Sequence, residues 1–254
     1  MMNYPCEALW LSVSPCLQRF DRRLLTYLAR NVTIRQWSYA QTLDEPCSLA
    51  AAVELLHDYL QQRDSRFPMK GSPIHLLGHG ISGVVGLCYA QKYPEQVRSL
   101  TLVSVGANPA VSWHAHYYAL RQLLLCRREV ILGQMARLLF GVQSTATLAA
   151  LAKLLQQDLD QQLTLHSLAT QTALDIGSAD VPLLICHGEH DVIIDASSQS
   201  QWQTWFKPGD RLWRCPEGKH FFHYDYPNRT AQAIVDYWQS LSMTAQSCRP
   251  SITK

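Results

Sequence analysis

Residues 74–83 read Ile74-His75-Leu76-Leu77-Gly78-His79-Gly80-Ile81-Ser82-Gly83, and an apolar, helix-like run from Val84 to Tyr93 follows. A buried strand that turns sharply through Gly-x-Ser-x-Gly into a helix lifts a serine hydroxyl clear of the strand end, where it can attack an acyl carbon. The strand, the tight turn and the helix are kept here, but glycine, Gly80, stands in the serine's place. Two later stretches carry polar groups at the ends of apolar runs. Val181-Pro182-Leu183-Leu184-Ile185 leads into Cys186-His187-Gly188-Glu189-His190-Asp191, and Pro216-Glu217-Gly218-Lys219-His220-Phe221-Phe222 sets a histidine in a glycine-containing loop. A carboxylate and a histidine are the parts of a general base. The chain therefore offers a base without an attacking atom.

The elements that must position these groups alternate along the chain. Short apolar runs at Ala8–Val13, Val32–Trp37, Ile74–Leu77, Ser99–Ser104, Val181–His187 and Asp210–Cys215 read as strands. Helical patterns fill the gaps at Gln18–Arg30, Ser48–Gln62, Ile81–Tyr93, Ser197–Phe206 and Arg229–Leu241, with Asp44-Glu45-Pro46 and Pro94-Glu95 as boundary signals. Such alternation implies an α/β fold, a mainly parallel sheet covered by helices on both faces. Between Asn108 and Asp180 the chain reads as helices only, at Trp113–Cys126, Val130–Phe140 and Thr145–Leu174. This predicts a helical cap over a pocket. The leucines at 148, 151, 154, 155, 159 and 163 recur at helical spacing and are expected to pack against the sheet domain; a partner- or membrane-facing stripe is the other use of such a pattern. The division expected is 1–107 and 181–242 for the two parts of the core, 108–180 for the cap and 243–254 for a loose polar tail.

The ordered set of these three motifs, spanning essentially the whole chain, resembles the α/β-hydrolase superfamily. That resemblance implies the α/β-hydrolase fold, with Asp191 in the place of the family's acid and His220 in that of its late Gly-x-His histidine. Asp191 would orient His220, and His220 would face Gly80 at the degenerate nucleophile position. Ser82 does not replace the missing serine, since on a helix it points about 200° away from position 80; it is expected to satisfy backbone groups of the first helical turn. The resemblance also implies an oxyanion hole built from the Ile81 amide and an amide after the first strand. Many relatives have His-Gly there, whereas this chain has Ser12-Val13-Ser14-Pro15-Cys16, which leaves Val13 or Ser14 as donor beside His79. His114, Tyr117 and Tyr118 open the cap and are candidates for lining a pocket.

The 254 residues fit one large domain, 47% hydrophobic and 17% charged, with a net charge of +2. That balance gives no electrostatic reason to expect nucleic acid or an anionic membrane as partner. No apolar run is long enough for a transmembrane segment, and Met1 to Glu7 has no basic leader, so the expected location is cytoplasmic. Eight scattered cysteines without a CxxC pair read as packing residues, Cys186 and Cys215 included. His187, His190 and His223 do not make a metal set, His75 and His57 read as structural, and no phosphate loop or GxGxxG is present, so neither metal nor cofactor is expected. The function expected is a non-hydrolytic binding protein for a small apolar ligand, or for a protein partner docking through the cap. The alternative is an enzyme on an acyl-type substrate that uses His220 and Asp191 as a general base.

Overall fold

The computed structural model describes residues 7–39, 48–62, 72–108, 111–161 and 177–247. Six parallel strands form one sheet: β1 (Glu7–Ser12), β2 (Thr33–Ser38), β3 (Ile74–His79), β4 (Val97–Val103), β5 (Leu183–Gly188) and β6 (Arg211–Cys215). Their spatial order is β2-β1-β3-β4-β5-β6. The inner strands are buried along nearly their whole length, while β2 at one edge is mostly exposed. That is the pattern a parallel sheet needs when helices cover both faces.

Helices α2 (Leu49–Gln61) and α3 (Ile81–Lys92) cover one face through a core that includes Leu56, Val85 and Leu100. On the other face lie α1 (Arg22–Leu28) and the last helix, α9 (Pro227–Ser247), packed through Trp10, Leu24, Ile234 and Trp238. All six strands fall within two residues of their expected starts. The first helix differs: Pro15–Phe20 winds as a 3₁₀ helix before α1, because Pro15 sets the backbone of its first turn. Helix α9 also runs on to Ser247, into the segment read as a loose tail. The expected helix between 197 and 206 is split into α7 (Ala196–Gln201) and a 3₁₀ turn at Trp202–Trp205, and the short α8 (Phe222–Asp225) precedes α9.

Between β4 and β5 the chain forms α4 (Trp113–Leu123), α5 (Arg128–Phe140) and α6 (Thr145–Gln161). Residues 162–176 lie outside the described parts, and with them the expected helical stretch to Leu174 and Leu163 of the leucine stripe. Leu151, Leu155 and Leu159 are buried with Ile131, Met135 and Phe140. The same cluster takes in Leu17, Phe20, Ile193, Ile194 and Phe221, which follow the C-terminal ends of β1, β5 and β6. The three helices therefore lie across the strand ends where the loops of the site emerge. Strand order reverses between β1 and β3, and open α/β sheets place ligands outside such a reversal.

Candidate functional site

Gly80 is the turn between β3 and α3. Its backbone sits at φ +52° and ψ −127°, a region that side chains other than hydrogen rarely occupy. Two hydrogen bonds hold it there: the Gly80 amide donates to Val103 O at 3.0 Å, and Val84 N–H donates to Gly80 O at 3.1 Å. A Cβ on Gly80 would meet nothing within 4 Å. The neighbouring glycines are the reverse. A Cβ on Gly78 would lie 2.6 Å from Gly83 N, and one on Gly83 would lie 2.5 Å from Val105 Cγ2 and 2.8 Å from Gly78 O. Strand and helix backbones thus touch at Gly78 and Gly83, and the residue between them faces open space.

His220 and Asp191 meet as expected. His220 Nδ1 lies 2.9 Å from Asp191 Oδ2, both side chains being buried. The other carboxylate oxygen accepts the amides of Ile193 at 2.8 Å and Ile194 at 3.1 Å. Burial acts to raise the Asp191 carboxyl, but His220 and these two amides outweigh it and hold the group below its ordinary range. An anionic Asp191 fixes the tautomer: Nδ1 carries the proton and Nε2 is the lone-pair nitrogen. Backbone packing makes the meeting possible, since Gly188 lets the end of β5 come against the carbonyls of Gly218 and Lys219. The His220 carbonyl in turn accepts the Ser104 hydroxyl at 2.6 Å and His79 Nε2–H at 3.3 Å. Ser104 (φ +51°) and Glu217 (φ +62°) are the two non-glycine residues at positive φ among those described, one at the end of β4 and one in the loop that carries His220.

A narrow cavity of about 40 Å³, room for a few waters, opens above Gly80. Leu11, Ile81, Val105 and Trp113 give it apolar walls, and His79, His114 and His220 give it polar ones. His79 stacks on Phe221 with ring centroids 4.5 Å apart, and burial, with His223 and His220 adding, drives its pKa well below the usual value. His79 is therefore neutral at pH 7. His114 Nε2 lies 2.9 Å from Asp158 Oδ2, and His223 Nε2 lies 3.1 Å from Asp21 Oδ1, whose partner oxygen accepts Trp10 Nε1–H at 2.8 Å. Three buried His–Asp pairs thus surround one small space. Two of them, those of Asp21 and Asp158, were not expected from the sequence. Asp158 had left a signal, an acidic residue on the same helical face as the buried Leu151 and Leu155; Asp21 had left none.

Three expectations need correction. Val13 does not line the cavity, and its amide donates to Ser82 Oγ at 3.0 Å, so it is already committed. Ser82 consequently reaches back to the loop after β1 and does not serve the first turn of α3. It also occupies the fifth position of the Gly-x-Ser-x-Gly pattern, so the close contact that a closing glycine makes falls one residue later, at Gly83. Finally, Tyr117 is buried among the helices and Tyr118 is exposed, so neither reaches the cavity that His114 lines. Ser14 and Ile81 do line it, as expected. His187 lies buried in β5 with neither ring nitrogen hydrogen-bonded, and burial lowers its pKa to about 4. Among the described residues, no three of His, Cys, Asp or Glu are grouped to hold a metal ion.

The model of the alpha/beta hydrolase family matches residues 9–233 of the chain. The chain belongs to the alpha/beta hydrolase family. Among relatives of this hydrolase-family protein is the uncharacterized protein sll0249 of Synechocystis sp., 42% identical over 252 residues and covering 98% of each chain. The uncharacterized protein alr2406 of Nostoc sp. is 41% identical over 238 residues, with 94% of this chain and 92% of that one covered. A solved structure of a bromoperoxidase from Bacillus anthracis superposes with a TM-score of 0.68 over 93% of this chain and 92% of that one. Its 13% identity makes that a likeness of fold alone.

Proposed function

We propose that this hydrolase-family protein binds a small, largely apolar ligand in the cavity above Gly80 and does not carry out serine-type hydrolysis. One observation carries the reading: the elbow is fully formed, yet the residue at its apex has no side chain and faces open space. Gly80 would then stand where relatives hold their serine, and loss of a serine nucleophile alone lowers kcat by about 10⁶. The Val13 amide, one of the two donors that the loop after β1 could bring to an oxyanion, is occupied by Ser82 Oγ, which leaves the Ser14 amide as the other. Losing one such donor lowers the rate by about another 10²–10³. In this reading helices α4–α6 act as a cap, the apolar walls hold a ligand of only a few non-hydrogen atoms, as a volume of about 40 Å³ requires, and His220 Nε2 accepts one hydrogen bond from it.

A second reading is favoured by the Asp191 carboxylate, held anionic by two amides and aligned on His220 Nδ1. That alignment suits a general base acting on water or on an acidic substrate proton. Hydrolysis of a short-to-medium acyl ester panel by the unmodified protein, His220→Ala and Gly80→Ser separates the two. The binding reading expects turnover in Gly80→Ser only. Turnover by the unmodified protein that disappears in His220→Ala would overturn it in favour of the base.

A further inference from the structure

The turn between α4 and α5 places Leu123, Leu124 and Leu125 in succession on the outside of the protein. Their fractional exposures are 76%, 45% and 106%. Val130, in the first turn of α5, is exposed beside them. Three large apolar residues in a row at a turn are not explained by the core, which takes Tyr117 from α4 and Ile131 and Leu132 from α5. The turn is also braced: Arg121 Nη1–H donates to Cys126 O at 3.1 Å, which closes the five-residue span from within.

The charges around this tip are three arginines, Arg121, Arg127 and Arg128, against the carboxylates of Glu129 and Asp160, a small positive excess. Arg121 precedes the leucines, and Arg127 and Arg128 follow them, with Glu129 as the one acidic residue in the stretch 121–130. Arg128 is paired with Asp160 at 2.7 Å, which leaves Arg121 and the exposed Arg127 on either side of the apolar tip. We propose that this tip docks on an anionic lipid bilayer, with Leu123–Leu125 entering the acyl boundary and Arg121 and Arg127 meeting the headgroups. Arg121, Leu124, Leu125 and Arg127 line a depression here that is open to solvent, and Leu125 is fully exposed within it, so the tip has no closed groove for a peptide. An apolar wedge between cations matches the layering of a bilayer interface, apolar inside and anionic outside. The near-zero net charge of the chain does not oppose this, because only charges within about 8–10 Å of the surface act on it at ordinary salt. Helix α4 joins this tip to the site: Trp113 and His114 at its start line the cavity, and 11 residues bring the tip about 16 Å away.

Flotation of the purified protein with vesicles tests the proposal. The vesicles are equal parts phosphatidylglycerol and phosphatidylcholine, or phosphatidylcholine alone. The expected result is flotation with the anionic vesicles that weakens with salt, falls at least about tenfold in Leu124→Asp/Leu125→Asp, and falls about fivefold in Arg127→Gln. All three side chains are exposed, so unfolding is not expected, and circular dichroism of each variant checks this. Absence of flotation by the unmodified protein overturns the proposal, as does flotation that the leucine variant retains. A dimer in size-exclusion chromatography that the leucine variant abolishes, without vesicle binding, overturns it in favour of contact between copies of this chain.

Discussion

Installing a serine at residue 80 and removing the one at 82 tests the account of the site most directly. A Cβ at residue 80 meets nothing within 4 Å, so Gly80→Ser is not expected to clash at that atom. Its cost is the backbone, since a non-glycine residue at φ +52° and ψ −127° is strained by about 1–3 kcal/mol. For a domain of this size each kcal/mol lowers Tm by about 2–4 °C, so a fall of several degrees is expected. The serine would face a histidine already oriented by Asp191 but would lack the Val13 donor, which Ser82 Oγ holds at 3.0 Å. Activity on an acetate ester should therefore appear, depend on His220, and stay about 10²–10³ below that of an intact site. Ser82→Gly added to Gly80→Ser releases the amide and should recover about that factor in kcat. It should also cost a further 1 kcal/mol or so in stability, through the helix and the unpaired amide. Steady-state ester hydrolysis with thermal unfolding on the single and double variants supplies both numbers. An unchanged kcat on adding Ser82→Gly would refute the reasoning, because the Val13 amide would then not be the missing donor.

The buried histidines should make the protein sensitive to acid. His75 is lowered to about 3 and His187 to about 4, in each case first by burial, against about 6.5 in the unfolded chain. Above pH 6.5 neither state is protonated; below it the unfolded chain takes up protons that the folded one refuses. Each histidine then removes about 1.4 kcal/mol of stability per pH unit, or about 4 kcal/mol for the two at pH 5, with His79 acting in the same direction. Urea unfolding at pH 7.5, 6.5, 5.5 and 5 measures this, and a flat profile contradicts it. Gly83→Ala should lose several kcal/mol, since its Cβ would lie 2.8 Å from a backbone oxygen, whereas Gly133→Ala in α5, with nothing within 4 Å, should gain about 0.5–1 kcal/mol. Asp21→Ala should cost about 1–3 kcal/mol by leaving His223 Nε2 and Trp10 Nε1–H without their buried partner, with a change in Trp10 fluorescence because the indole loses its acceptor.

Local patterns in the chain were enough to place the strands, because each inner strand is buried on both faces and reads as an apolar run with turn residues at its ends. The dyad was legible for a related reason: Asp191 and His220 each follow such a strand, and parallel strands deliver their loops to one edge. What could not be read was set by contacts far apart in the chain. Ser82 bonds an amide 69 residues away, and His223 bonds a carboxylate 202 residues away. No periodicity records such a pairing. Tyr117 and Tyr118 show the same limit at short range, since adjacent helical residues point about 100° apart and only the packing of α5 and α6 decides which side is the inside.

Gly78 and Gly83 lock strand and helix together through their backbones, independently of what stands between them. On the reading proposed above, this makes the elbow a shape that outlasts its chemistry. A serine at that apex is held in strain, and a glycine relaxes it, so a lineage that stopped hydrolysing esters would gain stability without disturbing the turn. The return path stays equally short, because serine and glycine codons can differ by a single base. The scaffold is then reversible in the evolutionary sense, with residue 80 free to change while its frame is not.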